Sequence, residues 1–231
     1  VFLRGRNSGM FNKSTTNVVY VDSLYGSINQ KHNINRCFVN KFGFIRGNNN
    51  IKYCIFQDDG VFMGHNIFDT LVLYPGSGNE QGLGNWFYFQ ADSTQVINDS
   101  LYVRGNQCSN INLTSLSAPK LAYIKKDNGY DVASDYLNIY SLAAESENID
   151  FYAGANSTPL PNPDDPPPGW IFENAQGYIY GFNGKTDRFC LGTEYVIDAS
   201  NFNGDNNTLY FWEGSPYPGN ETYIVTEPGT Y

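Results

Sequence analysis

Two adjacent carboxylates, Asp58 and Asp59, close an apolar run in "FQDDGVFMG" (Phe56 to Gly64), and Gly60 follows at once. With the side-chain oxygens of Asn66 and Asp69 a few residues on, they are the hard oxygen ligands that calcium takes. The same stretch also reads as an Asp-Asp-Gly turn with solvated side chains, since Asp and Gly favour turns on their own account. Trp86, Trp170 and Trp212 offer a second chemistry, aromatic faces on which sugar rings stack when exposed. Trp86 and Trp170 open strand blocks, where core burial competes with exposure; Trp212 borders a loop in "LYFWEGSPYPGN". Catalytic signals are sparse. The chain has two histidines, and no Gly-x-Ser-x-Gly elbow accompanies them. His32 sits in the polar "QKHNIN" and is expected to be exposed; His65 follows a glycine. The acids show no spacing that marks the carboxylate pair of a glycosidase. "GSGNEQGLGN" (Gly76 to Asn85) lacks the Lys-Ser/Thr ending of a phosphate loop. An enzyme is not expected.

Four cysteines stand at Cys37, Cys54, Cys108 and Cys190, with no Cys-x-x-Cys spacing. In a secreted chain they read as two disulfides, Cys37–Cys54 and Cys108–Cys190, among three allowed connectivities. Free buried thiols are the cytosolic alternative. N-glycosylation sequons occur at Asn12, Asn98, Asn112, Asn156, Asn206 and Asn220, a modest excess over chance for an Asn-rich chain. Cysteines and sequons together favour the secretory route and an extracellular location.

The formal charge of −9 argues against a nucleic-acid partner or an anionic membrane surface. No apolar run reaches the ~18 residues of a spanning helix, so direct membrane insertion is not expected. The opening "VFLRGRNSGMF" has neither a Met start nor a leader's apolar core, and reads as a mature product or excised ectodomain.

The elements that must position these residues are strands. Aromatic and β-branched residues punctuated by Gly and Asn suit pleated surfaces and tight turns. "NRCFVNKFGFIRGNNNIKYCIFQDDG" (Asn35 to Gly60) reads as two strands about a turn at Gly47–Asn50, with Cys37 facing Cys54 across the hairpin. Trp86–Phe89, Thr94–Ile97 and Ser100–Val103 read as successive strands, with turns at Asp92-Ser93 and Asn98-Asp99. "KLAYIKKDNGYDVAS" (Lys120 to Ser134) carries an Asp-Asn-Gly hairpin signal. Ser134 to Asn148 mixes strand and helix periods and is read as strand. "STPLPNPDDPPPGW" (Ser157 to Trp170) is expected to form neither a regular strand nor a helix. Blocks Asn85–Cys108 and Gly169–Cys190 resemble one another, each an aromatic strand, turn, strand, turn and cysteine. A fixed period would imply a solenoid or propeller. The copies are unevenly spaced, so they read as recurrent hairpins.

"GWIFENAQGYIYGFNGKTDRFC" (Gly169 to Cys190) followed by "YVIDASNFNGDNNTLYFWEG" resembles the ends of ascomycete fungal cell-wall and secreted glycoproteins. The likeness covers the last half of the chain and implies a surface location without catalytic residues. Arg188-Phe189-Cys190 departs from the family's Tyr-x-Cys ending. Asp58-Asp59 resembles, in outline, the Asp pair on which some fungal adhesins seat a calcium that holds sugar hydroxyls.

These readings converge on an all-β fold: an antiparallel sandwich or barrel-like body, disulfide-stabilised and loop-rich. One domain over 1–231 with a proline-rich crossing at 157–169 is expected; two domains, 1–156 and 170–231, are the alternative. The expected role is an extracellular surface glycoprotein, structural or adhesive, that binds glycans or surface proteins, with calcium as the cofactor its ligands suit. A viral receptor-binding domain and a secreted carbohydrate-active enzyme are the alternatives.

Overall fold

A computed structural model describes residues 1–4, 8–10, 14–22, 25–75, 85–105, 109–160, 166–173, 195–198 and 222–225. The chain divides into two units: Val1–Gly105 with Ser109–Asn174, and Asn106–Cys108 with Ala175–Tyr231.

The first unit is a parallel β-solenoid. Each coil lays a strand in one sheet, turns a corner, lays a strand in a second sheet and returns. The first six coils join β1 (Phe2–Arg4) to β2 (Gly9–Met10), β3 (Thr15–Asp22) to β4 (Gly26–Ile28), and β5 (Asn33–Val39) to β6 (Gly43–Arg46). They continue with β7 (Asn50–Phe56) to β8 (Gly60–Met63), β9 (Ile67–Leu73) to β10 (Trp86–Phe89), and β11 (Thr94–Val103) to β12 (Ile111–Ser115). The next two coils gain a third side: β13 (Ala122–Lys125), β14 (Val132–Ala133) and β15 (Leu137–Tyr140), then β16 (Leu142–Glu145), β17 (Phe151–Tyr152) and β18 (Thr158–Leu160). β19 (Trp170–Ile171) extends that third side. The first sheet runs β1-β3-β5-β7-β9-β11-β13-β16 and the second β2-β4-β6-β8-β10-β12-β15-β18. Neighbours in all three sheets are parallel. Parallel strands need a crossover of about a dozen residues. Here the crossover is the strand in the opposite sheet plus its two corners.

The register is set by like residues stacking on like. Ile34 lies beside Ile51, and Ile51 beside Phe68; Cys37 lies beside Cys54, and Cys54 beside Leu71, a step of 17 residues. All six are buried between the sheets. The second sheet returns Ile45, Phe62 and Phe89 to the same core, where the Phe62 and Phe89 rings stack at 4.9 Å. One corner repeats with the coil. Gly47 and Gly64 both have positive φ, 94° and 77°, and a Cβ on Gly64 would collide with the Gly47 carbonyl. Glycine there lets two corners stack at backbone contact. The residues just after this corner carry an internal amide ladder. Asn49 Nδ2 donates to Asn66 Oδ1 (2.8 Å), and Asn66 Nδ2 donates to Gln95 Oε1 (2.8 Å).

Several expectations are overturned. The sheets are parallel, so the antiparallel all-β sandwich or barrel does not form. Cys37 and Cys54 do not face each other across a hairpin; β6 separates them in the chain and they lie one coil apart in the first sheet. Both are free, buried thiols, so the disulfide stabilisation expected of this pair is absent. The cause is geometric. Neighbours in register on parallel strands are ~4.8 Å apart with Cα–Cβ bonds pointing the same way, whereas a disulfide needs convergent Cβ atoms ~3.8 Å apart. The Lys120–Ser134 hairpin is a corner instead: β13 and β14 belong to different sheets. Lys126 Nζ crosses that corner and donates to the Asn128 and Tyr130 carbonyls. Asn98-Asp99 is not a turn but lies inside β11, at a register shift against β9. The proline-rich segment contributes β18, with Pro159 in the outermost strand of its sheet, where a missing donor is tolerated.

In the second unit, β20 (Tyr195–Asp198) and β21 (Thr222–Val225) pair antiparallel. Cys108, Cys190, Trp212, Asn12, Asn206 and Asn220 lie outside the described residues.

Candidate functional site

The outer face of the second sheet gathers aromatic rings, amides and one carboxylate into two rows. Strand alternation turns Phe87, Leu113 and Ile139 fully inward, which turns their neighbours outward. The first row runs Asp59, Trp86, Asn112, Asn138, from the register of Trp86 on Asn112 and Asn112 on Asn138. The second runs Phe44, Val61, Tyr88, Thr114, Tyr140.

Asp59 heads the first row. It is 5% exposed, and its Oδ1 accepts the Trp86 backbone N–H at 2.6 Å. Burial pushes its carboxyl up to about 6; the Trp86 N–H bond pulls the other way, and the nearby Asp58 charge adds to the rise. Tyr88 is also raised, first by burial and then by the Asp59 charge. The Trp86 and Tyr88 rings stack on one another, 5.8 Å apart and only 15° from parallel, and both residues are half-buried. Beyond them the amides are aligned in advance. Asn138 Nδ2 donates to Asn112 Oδ1 (2.8 Å), and Asn110 Nδ2 donates to Asn138 Oδ1 (3.4 Å). On the other side of Asp59, Phe42 and Phe44 meet edge to face at 5.1 Å, and the Arg46 guanidinium lies 4.3 Å from the Phe44 ring centre.

Such a surface can hold a ligand with apolar faces and hydroxyl edges. Rings take C–H faces, and amide and carboxyl groups exchange hydrogen bonds with hydroxyls.

The four residues expected to share a calcium are not brought together. Asp58 is half-buried beside Asp59, whose Oδ1 is engaged by Trp86. Asn66 is inside the solenoid, within the amide ladder. Asp69 stands on the outer face of the first sheet, where its Oδ1 accepts from Asn98 Nδ2 (3.0 Å). Among the described residues no three His, Cys, Asp or Glu side chains converge on a metal position. Trp86 is outward and half-buried. Trp170 is a core residue, packed on Phe151 at 5.4 Å with its Nε1 donating to the Leu142 carbonyl. His32 is not exposed as expected. It is buried, with Nδ1 2.9 Å from Ser14 Oγ and Nε2 without a protein partner. The exposed His65 accepts the Thr94 N–H on Nδ1 (3.1 Å).

Among the sequons, Asn98 and Asn156 are exposed. Asn112 belongs to the amide row, and a glycan there would stand on the candidate face. Sequence reasoning missed Tyr88, Tyr140 and Asn138. The alternation in "WFYF" (Trp86 to Phe89) was the signal for Tyr88, and that in "LNIY" (Leu137 to Tyr140) the signal for Asn138 and Tyr140.

No protein-family model, curated protein or solved structure matches this chain.

Proposed function

We propose that this chain is a carbohydrate-binding surface module of an extracellular glycoprotein, with an adhesive or structural role. The observation that carries the reading is the stacked, half-buried Trp86–Tyr88 pair beside the Asp59 carboxyl and in register with the Asn112–Asn138 amides. Such a mixture of apolar platform and fixed polar groups is what sugar recognition requires. The sequons support the extracellular part of the reading, as does the resemblance to fungal cell-wall glycoproteins. Cys37 and Cys54 no longer contribute to it.

A glycan array tests the reading, with Trp86→Ala and Tyr88→Ala as controls. Binding that falls at least tenfold in both variants at unchanged melting temperature supports it. Binding indifferent to both rings, or no binding to any glycan, refutes it. Repeating the array with a chelator decides whether calcium takes part.

A second reading is favoured by one observation. A carboxyl held near 6 beside aromatic walls is suited to donate a proton to a glycosidic oxygen. On this reading the protein is a secreted carbohydrate-active enzyme with Asp59 as acid. Release of reducing ends from a bound polysaccharide, lost in Asp59→Asn while binding persists, would select it.

A further inference from the structure

We propose that the ligand is a neutral, extended β-1,4-linked polysaccharide, lying along the stacking axis of the solenoid with every second sugar seated on an aromatic ring. The inference rests on the carbohydrate reading and adds the linkage class and direction of the chain. Its basis is the period of the second row. Phe44, Tyr88 and Tyr140 alternate with Val61 and Thr114 along consecutive strands. Val61 and Thr114 are 4% and 5% exposed, so the three rings are ridges and the short side chains between them are valleys. Adjacent strands are ~4.8 Å apart, so the ridges recur about every 10 Å. A β-1,4-linked chain of equatorial sugars is a flat ribbon whose units turn over alternately. Two units advance it by that same distance and bring the same ring face back to the protein. An α-1,4-linked chain coils and loses step with a straight row.

The first row lies beside these ridges along each strand, and there the half-buried amides of Asn112 and Asn138 face the hydroxyl edge of the ribbon, with the buried Asp59 at its head. Charge selects a neutral polymer. Within the two rows Asp59 is the one carboxylic acid, and the Arg46 guanidinium packs on the Phe44 ring. A polyuronate would meet a carboxylate and no line of cations.

The test is calorimetric titration of the full chain with di-, tetra- and hexasaccharides from cellulose, chitin and mannan, beside the α-1,4-linked malto series. Affinity is expected to climb about three- to tenfold for each added pair of sugars in at least one β-1,4 series, one stacked ring per pair. Tyr140→Ala should remove the increment from tetra- to hexasaccharide at an unchanged melting temperature. Affinity that levels off at the disaccharide, an equal climb in the malto series, or uniform weakening by Tyr140→Ala overturns the axial polymer. If the array still shows ring-dependent binding to another glycan, the carbohydrate reading survives that outcome. If no glycan binds, both fall.

Discussion

Replacing Asn66 by Ala tests whether the interior amide ladder is structural. Asn66 is fully buried. Its Oδ1 accepts from the Asn49 backbone N–H (3.1 Å) and from Asn49 Nδ2 (2.8 Å); its Nδ2 donates to Gln95 Oε1 (2.8 Å) and to the Met63 carbonyl (3.2 Å). Two of these four groups keep another partner: Asn49 Nδ2 still donates to the Arg46 carbonyl, and the Met63 carbonyl still accepts from Gly47 N–H. The Asn49 N–H and Gln95 Oε1 are left orphaned. Each orphaned buried group costs about 1–3 kcal/mol, so Asn66→Ala is expected to lose about 4 kcal/mol. The exposed pair Asn98–Asp69 provides the contrast; Asn98→Ala should cost about 0.5 kcal/mol or less. Urea unfolding followed by circular dichroism reads both, as a shift in midpoint at constant slope. A loss below about 1 kcal/mol for Asn66→Ala would refute the ladder's structural weight. A loss that appears only without chelator would show that Asn66 is a calcium ligand after all.

Asp59→Asn should stabilise the protein at neutral pH. The folded carboxyl sits at about 6 against an ordinary 3.8, so the native state holds the proton more tightly and stability falls as pH rises through that window. The shift corresponds to about 3 kcal/mol when fully desolvated and about 1–2 kcal/mol after screening; melting curves at pH 4 and pH 7 should converge for the variant, and an unchanged difference would contradict the assignment. Gly64→Ala should cost about 2–3 kcal/mol, from its φ of 77° and the Gly47 carbonyl its Cβ would strike; a neutral result in the same urea assay would mean that the corners do not stack as described. Burial, then the hydrogen bond and proximity of Cys37, push the Cys54 thiol well above its ordinary value. Maleimide mapping by mass spectrometry should therefore find Cys37 and Cys54 unlabelled in the native chain and labelled in urea, while a Cys37–Cys54 disulfide peptide would contradict the parallel register.

Strand content was legible because aromatic and β-branched runs alternate between glycines. The direction of pairing was not. Asn33–Val39 and Asn50–Phe56 share Asn, Ile and Cys at identical spacing, which is the 17-residue coil in plain view. Their closeness in sequence nevertheless favours a hairpin, with β6 between them as part of its arms. Beyond β9 the period is hidden: Leu71 lies beside Leu101, and residues are added both between strands and at the register shift inside β11. Alternation is broken as well. Each of β5, β7 and β9 turns two successive residues outward, Asn35-Arg36, Lys52-Tyr53 and Asp69-Thr70, before the buried position resumes. Of the candidate site, Trp86 and Asp59 were legible by type. Their adjacency was not, because it arises from the stacking of β8 on β10 across the long insertion.

The hydrogen bonds between coils point along the stacking axis, and this gives the first unit a weak and a strong mechanical direction. Tension applied along the axis peels one coil from the next, loading only the outermost ladder at any moment. Tension along the strands shears a whole row of bonds at once. A polymer lying over the second sheet would drag in the weak direction, so cross-coil links such as Asn49–Asn66–Gln95 are the rivets that decide how much load the stack bears before it unzips.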